Sequence, residues 1–534
     1  MIGAGFAGMY ALHKLRGLGF RVRVFEAGSG VGGTWFWNRY PGARCDVESM
    51  EYSYSFSNEL QQEWEWSERY APQPEILQYA QHVAERFDLM RDIALNTRII
   101  TSVYDRRSNR WTMTTDGGAS VSAPYLIMAT GNLSTPRVPD FKGLKEFRGK
   151  WYHTGFWPHE GVDFSGLRVG VIGTGSSAIQ AIPIIARQAR RLHVIQRTAN
   201  YSVPAHNAPL DSDYVRRHKA EYPERRRAAY DTPFGIAGYP PPTKPASEAP
   251  VAERLRLYED KWKQGGTIGF LYSYTDLLTS KEANDTAAEF VRNKIRGIVK
   301  DPATAELLCP KDHPIGTKRL CLDIGYYETF NRDNVTLVDA RNTPIKEITP
   351  TGLRTTTKEY EFDAIVFATG FDAMTGALAD IDIRAQGGTS LREHWAAGPR
   401  TYLGIMVAGF PNMFLITGPG SPGVKSNMVV SIEQHTDFIA DCLAHLRARG
   451  LERIEAEQGA EDAWTGHVND VANATLYPLA NSWYMGANVP GKPRIFMPYV
   501  GGVHTYKKRC DAIAAGGYEG FKLTGAALRD KTTA

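Results

Sequence analysis

Cysteine is scarce in this sequence and never arranged in pairs. Five residues, Cys45, Cys309, Cys321, Cys442 and Cys510, are scattered along 534 positions without one C-x-x-C. An odd, dispersed set argues against a disulfide framework or a structural zinc site, and it fits a reducing compartment, read here as the cytoplasm. The missing redox pair also argues against a disulfide reductase. His313, His435 and His504 lack metal-ligand spacing, so no metal is expected. No apolar run approaches the roughly 18–20 residues that cross a bilayer. The N-terminus has neither the basic start nor the cleavage site of a secretory signal. Excess charge is lacking too. Sixty-two Lys and Arg against 58 Asp and Glu leave a net charge of +4, which gives no reason to invoke nucleic acid or an anionic membrane.

What is present begins with length and glycine patterning. At roughly 100–200 residues per domain, the chain is expected to form about three domains. Gly3-Ala4-Gly5-Phe6-Ala7-Gly8 opens a helical pattern that runs through Leu15. Val22-Arg23-Val24-Phe25-Glu26 follows as a short strand. Much later, the strand Arg168–Ile172 leads into Gly173-Thr174-Gly175-Ser176-Ser177-Ala178, a second helix start, and then the strand Leu192–Gln196. Both stretches read as βαβ dinucleotide-binding units. A strand should precede Gly3, so the sequence is expected to open inside its first motif.

A lone G-x-G-x-x-G is weak evidence. Two, each between a strand and a helix, are much stronger. Glycine permits the tight turn and the close approach of backbone to a pyrophosphate seated at the positive end of a helix.

A second duplication accompanies the first. Tyr125–Gly131 and Ala364–Gly370 each read as a buried strand ending in Ala-Thr-Gly. They mark the expected crossings between two nucleotide domains. The stretch 207–311 is rich in Arg, Lys, Glu and Ala, with prolines at 240–242, and reads as a mostly helical insertion. Within it, Arg225-Arg226-Arg227 lies beside Glu221 and Glu224 and reads as a solvated helix face. The expected architecture is α/β, with two Rossmann-like domains. Residues 1–135 and 371–534 form one, 136–206 and 312–370 the other, and 207–311 the insertion.

The end of the second strand distinguishes the two nucleotides. Glu26 stands about twenty residues beyond the first glycine turn, where a carboxylate can take ribose hydroxyls. That suits the adenosine half of FAD. The corresponding place in the second unit holds Gln196-Arg197-Thr198. A cation there favours a 2′-phosphate, hence NADP over NAD. The competing reading of Arg197 is an exposed charge at a strand end.

Two longer patterns complete the picture. Phe147-Arg148-Gly149-Lys150-Trp151-Tyr152-His153-Thr154-Gly155-Phe156-Trp157-Pro158 matches F-x-G-x-x-x-H-x-x-x-W-P, and Gly32–Asp46 carries Gly-Gly-Thr-Trp-Phe-Trp-Asn-Arg-Tyr-Pro-Gly-Ala-Arg-Cys-Asp. In this order they resemble the fingerprints of type I Baeyer–Villiger monooxygenases. The resemblance covers essentially the whole chain. Segments at 38–46, 316–319, 396–404 and 486–491 are similar to the phenylacetone, steroid and polycyclic-ketone branch.

The resemblance implies FAD and NADPH as cofactors, and O2 with a small-molecule ketone, of bulky or cyclic kind, as substrates. It implies insertion of oxygen through a C4a-peroxyflavin and a tetrahedral adduct, giving an ester or lactone. A monomer with neither nucleic-acid nor membrane partners is expected. By matching motif, Arg319 is the active-site arginine and Asp46 its carboxylate partner. Lys318 joins Arg197 and Thr198 around the 2′-phosphate, and Trp483 contacts the nicotinamide nucleotide. Thr34, Trp35, Trp37, Tyr52 and Met428 neighbour the flavin. A permanently charged guanidinium suits the anions of this chemistry. The alternative for the Arg319–Asp46 pair is a bridge that serves stability alone. His153 is read as a linker that sets the angle between domains, and Trp157 and the Trp35/Trp37 pair have packing as an alternative. Gly423-Val424-Lys425, in the presumed substrate loop, departs into variable territory and leaves the ketone unassigned.

Three rival activities share these motifs. A flavin-containing N- or S-oxygenase would use the peroxide as an electrophile. A non-catalytic NADP-binding regulator would hold flavin without turnover. An NADPH oxidase would release hydrogen peroxide whatever ketone is present.

Overall fold

The computed structural model describes residues 1–385 and 387–525. Two of its parallel sheets follow one plan. In the first, Ile2 alone bridges Phe25 on one side and Met128 on the other. Val24–Phe25 pairs outward with Ile93–Ala94, and Leu126–Met128 pairs outward with Met413–Leu415. In the second, Arg168–Ile172 lies between Arg191–Gln196 and Ala364–Phe367, which are flanked in turn by Val335–Asp339 and Lys150–His153. Each sheet therefore has the glycine-motif strand at its centre and an Ala-Thr-Gly strand beside it.

Composition accounts for these strands. Arg-Val-Gly-Val-Ile at 168–172 is buried at every position after the arginine, as a parallel strand covered on both faces requires. The first unit's second strand is shorter than expected, Val24–Phe25 rather than 22–26. Its neighbour offers only two pairing residues, and Glu26 bends away to accept backbone N–H groups. The helix expected through Leu15 continues to Gly17.

The duplicated Ala-Thr-Gly has a structural reason. A Cβ on Gly3 would lie 2.3 Å from the carbonyl oxygen of Ala129, and one on Gly173 would lie 2.4 Å from that of Ala368. Both glycines have positive φ, +102° and +119°, so neither position tolerates a side chain. Beyond each Ala-Thr-Gly the chain crosses between the sheets. The two crossings run antiparallel, with Arg137 N donating to Gly370 O at 3.0 Å and Asp372 N to Thr135 O at 2.9 Å.

Helices Ser212–Ala220, Tyr222–Ala229, Val251–Gln264, Lys281–Ile298 and Pro302–Leu308 fill the intervening stretch. Here the reading of Arg225-Arg226-Arg227 as a solvated face is corrected. Arg226 is buried and donates to Gln61 Oε1, Met50 O, Glu51 O and Ser53 Oγ. Arg225 clasps Glu51, which is itself 3% exposed. Only Arg227 stays at the surface, beside Glu224. The run fastens these helices to the segment just after Asp46, through a carboxylate over 170 positions away in sequence.

Candidate active site

Two glycine turns set the frame. Helices Phe6–Gly17 and Ser176–Gln188 begin at Gly5 and Gly175, with neither a side-chain cap nor an acidic residue in the first turn. Their first N–H groups are thus left for an anion. A Cβ on Gly175 would meet nothing within 4 Å, so the second turn opens onto free space a phosphate can fill. At the first turn Gly5 lies against Gly33, with a Cβ only 3.2 Å from the Gly33 Cα. Gly8 closes on the Gly3 carbonyl, where a Cβ would sit at 1.9 Å. Glu26 accepts hydrogen bonds from Ala4 N at 2.8 Å and Gly28 N at 2.7 Å. These fix its carboxylate at the strand end, with lone pairs left for hydroxyl donors. Both turns fit an elongated diphosphate.

Of the residues expected beside the flavin, Thr34, Trp35 and Trp37 follow directly on Gly33. Thr34 opens the short helix Thr34–Trp37 immediately after Gly33. Trp35 is buried and donates from Nε1 to the Tyr52 hydroxyl at 3.1 Å. Trp37 packs edge-on against Phe36. Met428 begins the helix Met428–Ala448 behind Asn427, whose side chain accepts from Val429 N and donates to Glu51 O.

A cationic cluster lies at the end of the second unit. Arg197 is exposed, and Thr198 accepts a hydrogen bond at its carbonyl from Thr174 Oγ1. Burial lowers the Lys318 pKa, Asp312 resists that, and Arg197 and Arg341 reinforce it. The Lys318 ammonium therefore shares one electrostatic neighbourhood with both guanidiniums. Ser176 Oγ is 3.1 Å from Cys321 Sγ, and Ser177 follows on the same helix turn.

Arg341 is a member of this cluster that sequence reasoning missed. It donates to Arg197 O at 3.2 Å and pairs with Asp312. It follows the strand Val335–Asp339, which neighbours Arg191–Gln196. Adjacent parallel strands bring their carboxyl ends together, and that was the available signal.

The neighbouring residue, Arg319, turns to a different partner. Its Nε and Nη2 donate to both carboxylate oxygens of Asp46 at 2.6 Å, and its Nη1 donates to Val424 O at 2.7 Å. The two side chains are 30% and 23% exposed, screened from bulk water yet open to a ligand. Burial alone would lower the guanidinium's pKa, but Asp46 and the Tyr484 hydroxyl outweigh it and hold it well above normal. Burial would raise Asp46, and Arg319 with Lys425 hold it below the ordinary carboxylate range.

Val424, Met428, Trp483 and Tyr484 share one apolar cluster. Lys425 Nζ stands 4.4 and 4.5 Å from the ring centroids of Tyr477 and Tyr484. The buried Tyr484 hydroxyl faces the Arg319 guanidinium, and its own proton has no acceptor among the described residues. These aromatic contacts join residues more than fifty positions apart, which no local pattern signals.

The fingerprint segment is structural in its contacts. His153 Nδ1 accepts from Gly155 N at 3.0 Å, so Nε2 carries the proton toward Thr369 Oγ1 at 3.2 Å. Thr369 in turn donates to Arg137 O at 2.7 Å. Burial lowers the imidazole pKa to about 4, so it is neutral near pH 7. Phe147 is buried with Ile348 and Phe367, and a Cβ on Gly149 would meet Asp363 O at 2.5 Å. Trp157, leading into Pro158, packs against Tyr152 and Phe164. A separate cleft of about 420 Å³, lined by Glu48, Glu51, Arg69 and Arg225 among others, contains none of the glycine turns nor Arg319.

Among the described residues no helix is long and apolar enough to cross a membrane, and no cluster has the composition to hold a metal. Residues 1–222 match the family model described as pyridine nucleotide-disulphide oxidoreductase. All five cysteines are buried and free, so this match reflects the nucleotide-binding scaffold rather than a disulfide centre. A Baeyer–Villiger monooxygenase of Pseudooceanicola batsensis is 43% identical over 100% of this chain and 96% of its own length. The acetone monooxygenase (methyl acetate-forming) of Gordonia sp. strain TY-5 is 42% identical over 98% of each. A solved structure of oxidized steroid monooxygenase bound to NADP superposes with a TM-score of 0.93, at 54% identity, over 98% of each chain. With this extent of similarity added to the paired glycine turns and the Arg319–Asp46 geometry, the chain belongs to the type I Baeyer–Villiger monooxygenase family.

Proposed function

We propose that the chain oxidises a ketone with NADPH and O2, yielding an ester or lactone, NADP+ and water. The observation that carries this is the Arg319 guanidinium, charge-paired by Asp46 and tied to the loop carbonyl of Val424, close to the apolar group of Met428 and Trp483. FAD belongs with Gly3, Gly5, Gly8 and Glu26 in the unit formed by 1–135 and 371–534. NADPH belongs with Gly173, Gly175, Arg197 and Lys318 in the unit formed by 136–206 and 312–370, with 207–311 as an inserted helical cover. The enzyme is taken as a cytoplasmic monomer.

When bound, the flavin accepts hydride from NADPH and activates O2, supplying the oxygen atom that enters the product. The chain's own residues then do the positioning. Arg319 presents a fixed positive charge where negative charge grows on the ketone oxygen as its carbonyl is attacked. Asp46 holds the guanidinium plane through two parallel bonds, which removes the cost of orienting it during the reaction. Trp35, braced by Tyr52, and Met428 shape the flavin side, and Trp483 excludes water from the nicotinamide side. Lys318 and Arg197 hold the 2′-phosphate, and Lys318 directly precedes Arg319 along the backbone. Nucleotide binding is thereby coupled mechanically to the reacting arginine.

The test is a panel of ketones with NADPH consumption and product mass followed together. Products heavier by one oxygen, in ester or lactone form, are expected in proportion to NADPH used. Stoichiometric hydrogen peroxide with unchanged ketone would overturn the proposal.

A further inference from the structure

We propose that Lys425 is a specificity-determining residue that selects ketones carrying an anionic group, a carboxylate on a short arm. The inference rests on the Baeyer–Villiger reading of the same site. Arg319 is balanced there by Asp46, bidentate at 2.6 Å. Lys425 is balanced by nothing comparable. Among the described residues no carboxylate lies within 4 Å of its ammonium, and no acceptor takes a hydrogen bond from it. Its partners are the faces of Tyr477 and Tyr484, both buried, at 4.4 and 4.5 Å. Those faces hold the ammonium in place by cation–π attraction. They leave the three N–H donors of this partly exposed ammonium without an oxygen acceptor among the described residues.

The ammonium's position ties it to the reacting group. Val424, the residue before it, accepts the Arg319 Nη1 hydrogen bond. Lys425 also shares the electrostatic neighbourhood of both Arg319 and Asp46. Burial and the Arg319 charge press its pKa well below the ordinary range, against the pull of Asp46. A carboxylate arriving with the substrate would offset that penalty and complete the charge balance. The buried Tyr484 hydroxyl lies beside the Arg319 guanidinium, and its proton, with no acceptor among the described residues, supplies a second donor. A neutral ketone can accept a hydrogen bond but brings no charge to balance the ammonium.

The experiment compares a cyclopentanone bearing a carboxymethyl arm with its methyl ester, using the FAD-loaded enzyme. Wild type, Lys425→Met and Lys425→Arg are assayed for kcat/KM of lactone formation. The dissociation constant of each compound for the oxidised enzyme is taken from the change in flavin absorbance. Wild type is expected to favour the acid. In Lys425→Met the acid-to-ester ratio should fall by roughly 10- to 100-fold in both measurements, the range for a hydrogen bond to a charged group. Lys425→Arg should recover part of it. An unchanged ratio, including an equal loss on both substrates, would overturn the inference. Failure of the parent reading looks different: no ketone of either kind gives lactone. The binding ratio still decides the role of Lys425 in that case.

Discussion

Arg319 and Asp46 lie 273 positions apart in sequence and meet through two parallel 2.6 Å hydrogen bonds, one to each carboxylate oxygen. The carboxylate comes from the loop after the first glycine unit. The guanidinium comes from the segment that enters the parallel strand Cys321–Asp323, paired with Ser202–Pro204. Anything that moves the segment bearing Asp46 relative to the one bearing Arg319 must carry this pair or break it.

Removing Asp46 should therefore disable the arginine without deleting it. In Asp46→Ala the guanidinium loses both carboxylate bonds and keeps its bond to Val424 O. Ester formation should drop by about 10- to 100-fold, the cost of losing a charge-assisted orientation. Because the pair is partly exposed, the stability loss should be modest, about 1–2 kcal/mol, well under the figure for a fully buried pair. Product assays and thermal unfolding of the flavin-loaded protein check both numbers.

The cation cluster should set nucleotide choice. Lys318→Ala is expected to raise the KM for NADPH by about 10- to 100-fold while changing that for NADH little. Arg341→Ala should act in the same direction with a smaller effect, because Asp312 already engages Arg341. Steady-state kinetics with both nucleotides distinguish a phosphate contact from general damage, which would affect both equally.

His153 should act on stability and not on the pH dependence of turnover. Its pKa falls from 6.5 to about 4 on burial, so between those values the unfolded chain binds the proton and the folded chain does not. Its contribution is complete above about pH 6.5 and is lost as pH falls toward 4. Melting temperatures of wild type and His153→Asn, measured from pH 7.5 to 4, should converge as pH drops. A gap that stays constant over that window would contradict a neutral buried imidazole.

Arg226→Ala should destabilise the protein by about 2–3 kcal/mol. It removes four hydrogen bonds from a buried guanidinium and leaves Gln61 Oε1 and the Met50 carbonyl without that donor, while Glu51 O keeps its bond from Asn427. The effect should register as a lower melting temperature. A drop below 0.5 kcal/mol, the usual scale for surface changes, would restore the reading of this run as a solvated face.

The sequence made some of this legible for physical reasons. A turn that must admit a phosphate demands glycine at fixed offsets, so both nucleotide units were visible. The Ala-Thr-Gly repeats were visible too, and the structure explains them by the close approach of Gly3 to Ala129 and of Gly173 to Ala368. Contacts made across long separations left no such mark. The pairing of Asp46 with Arg319 was expected only through family resemblance. Arg226 was misread because its neighbours Glu221 and Glu224 looked like sufficient partners, whereas its acceptors lie at 50–61. Arg341 and the Tyr477–Lys425–Tyr484 stack escaped notice for the same reason.

The measurement that bears most directly on the account is ester formation by Arg319→Ala, with flavin content and NADPH oxidation followed in the same sample. Bound flavin and continued NADPH oxidation are expected, with ester reduced by about 10²–10³-fold or more, the cost of deleting a principal electrostatic stabiliser. Ester formed by that variant at the wild-type rate would contradict it.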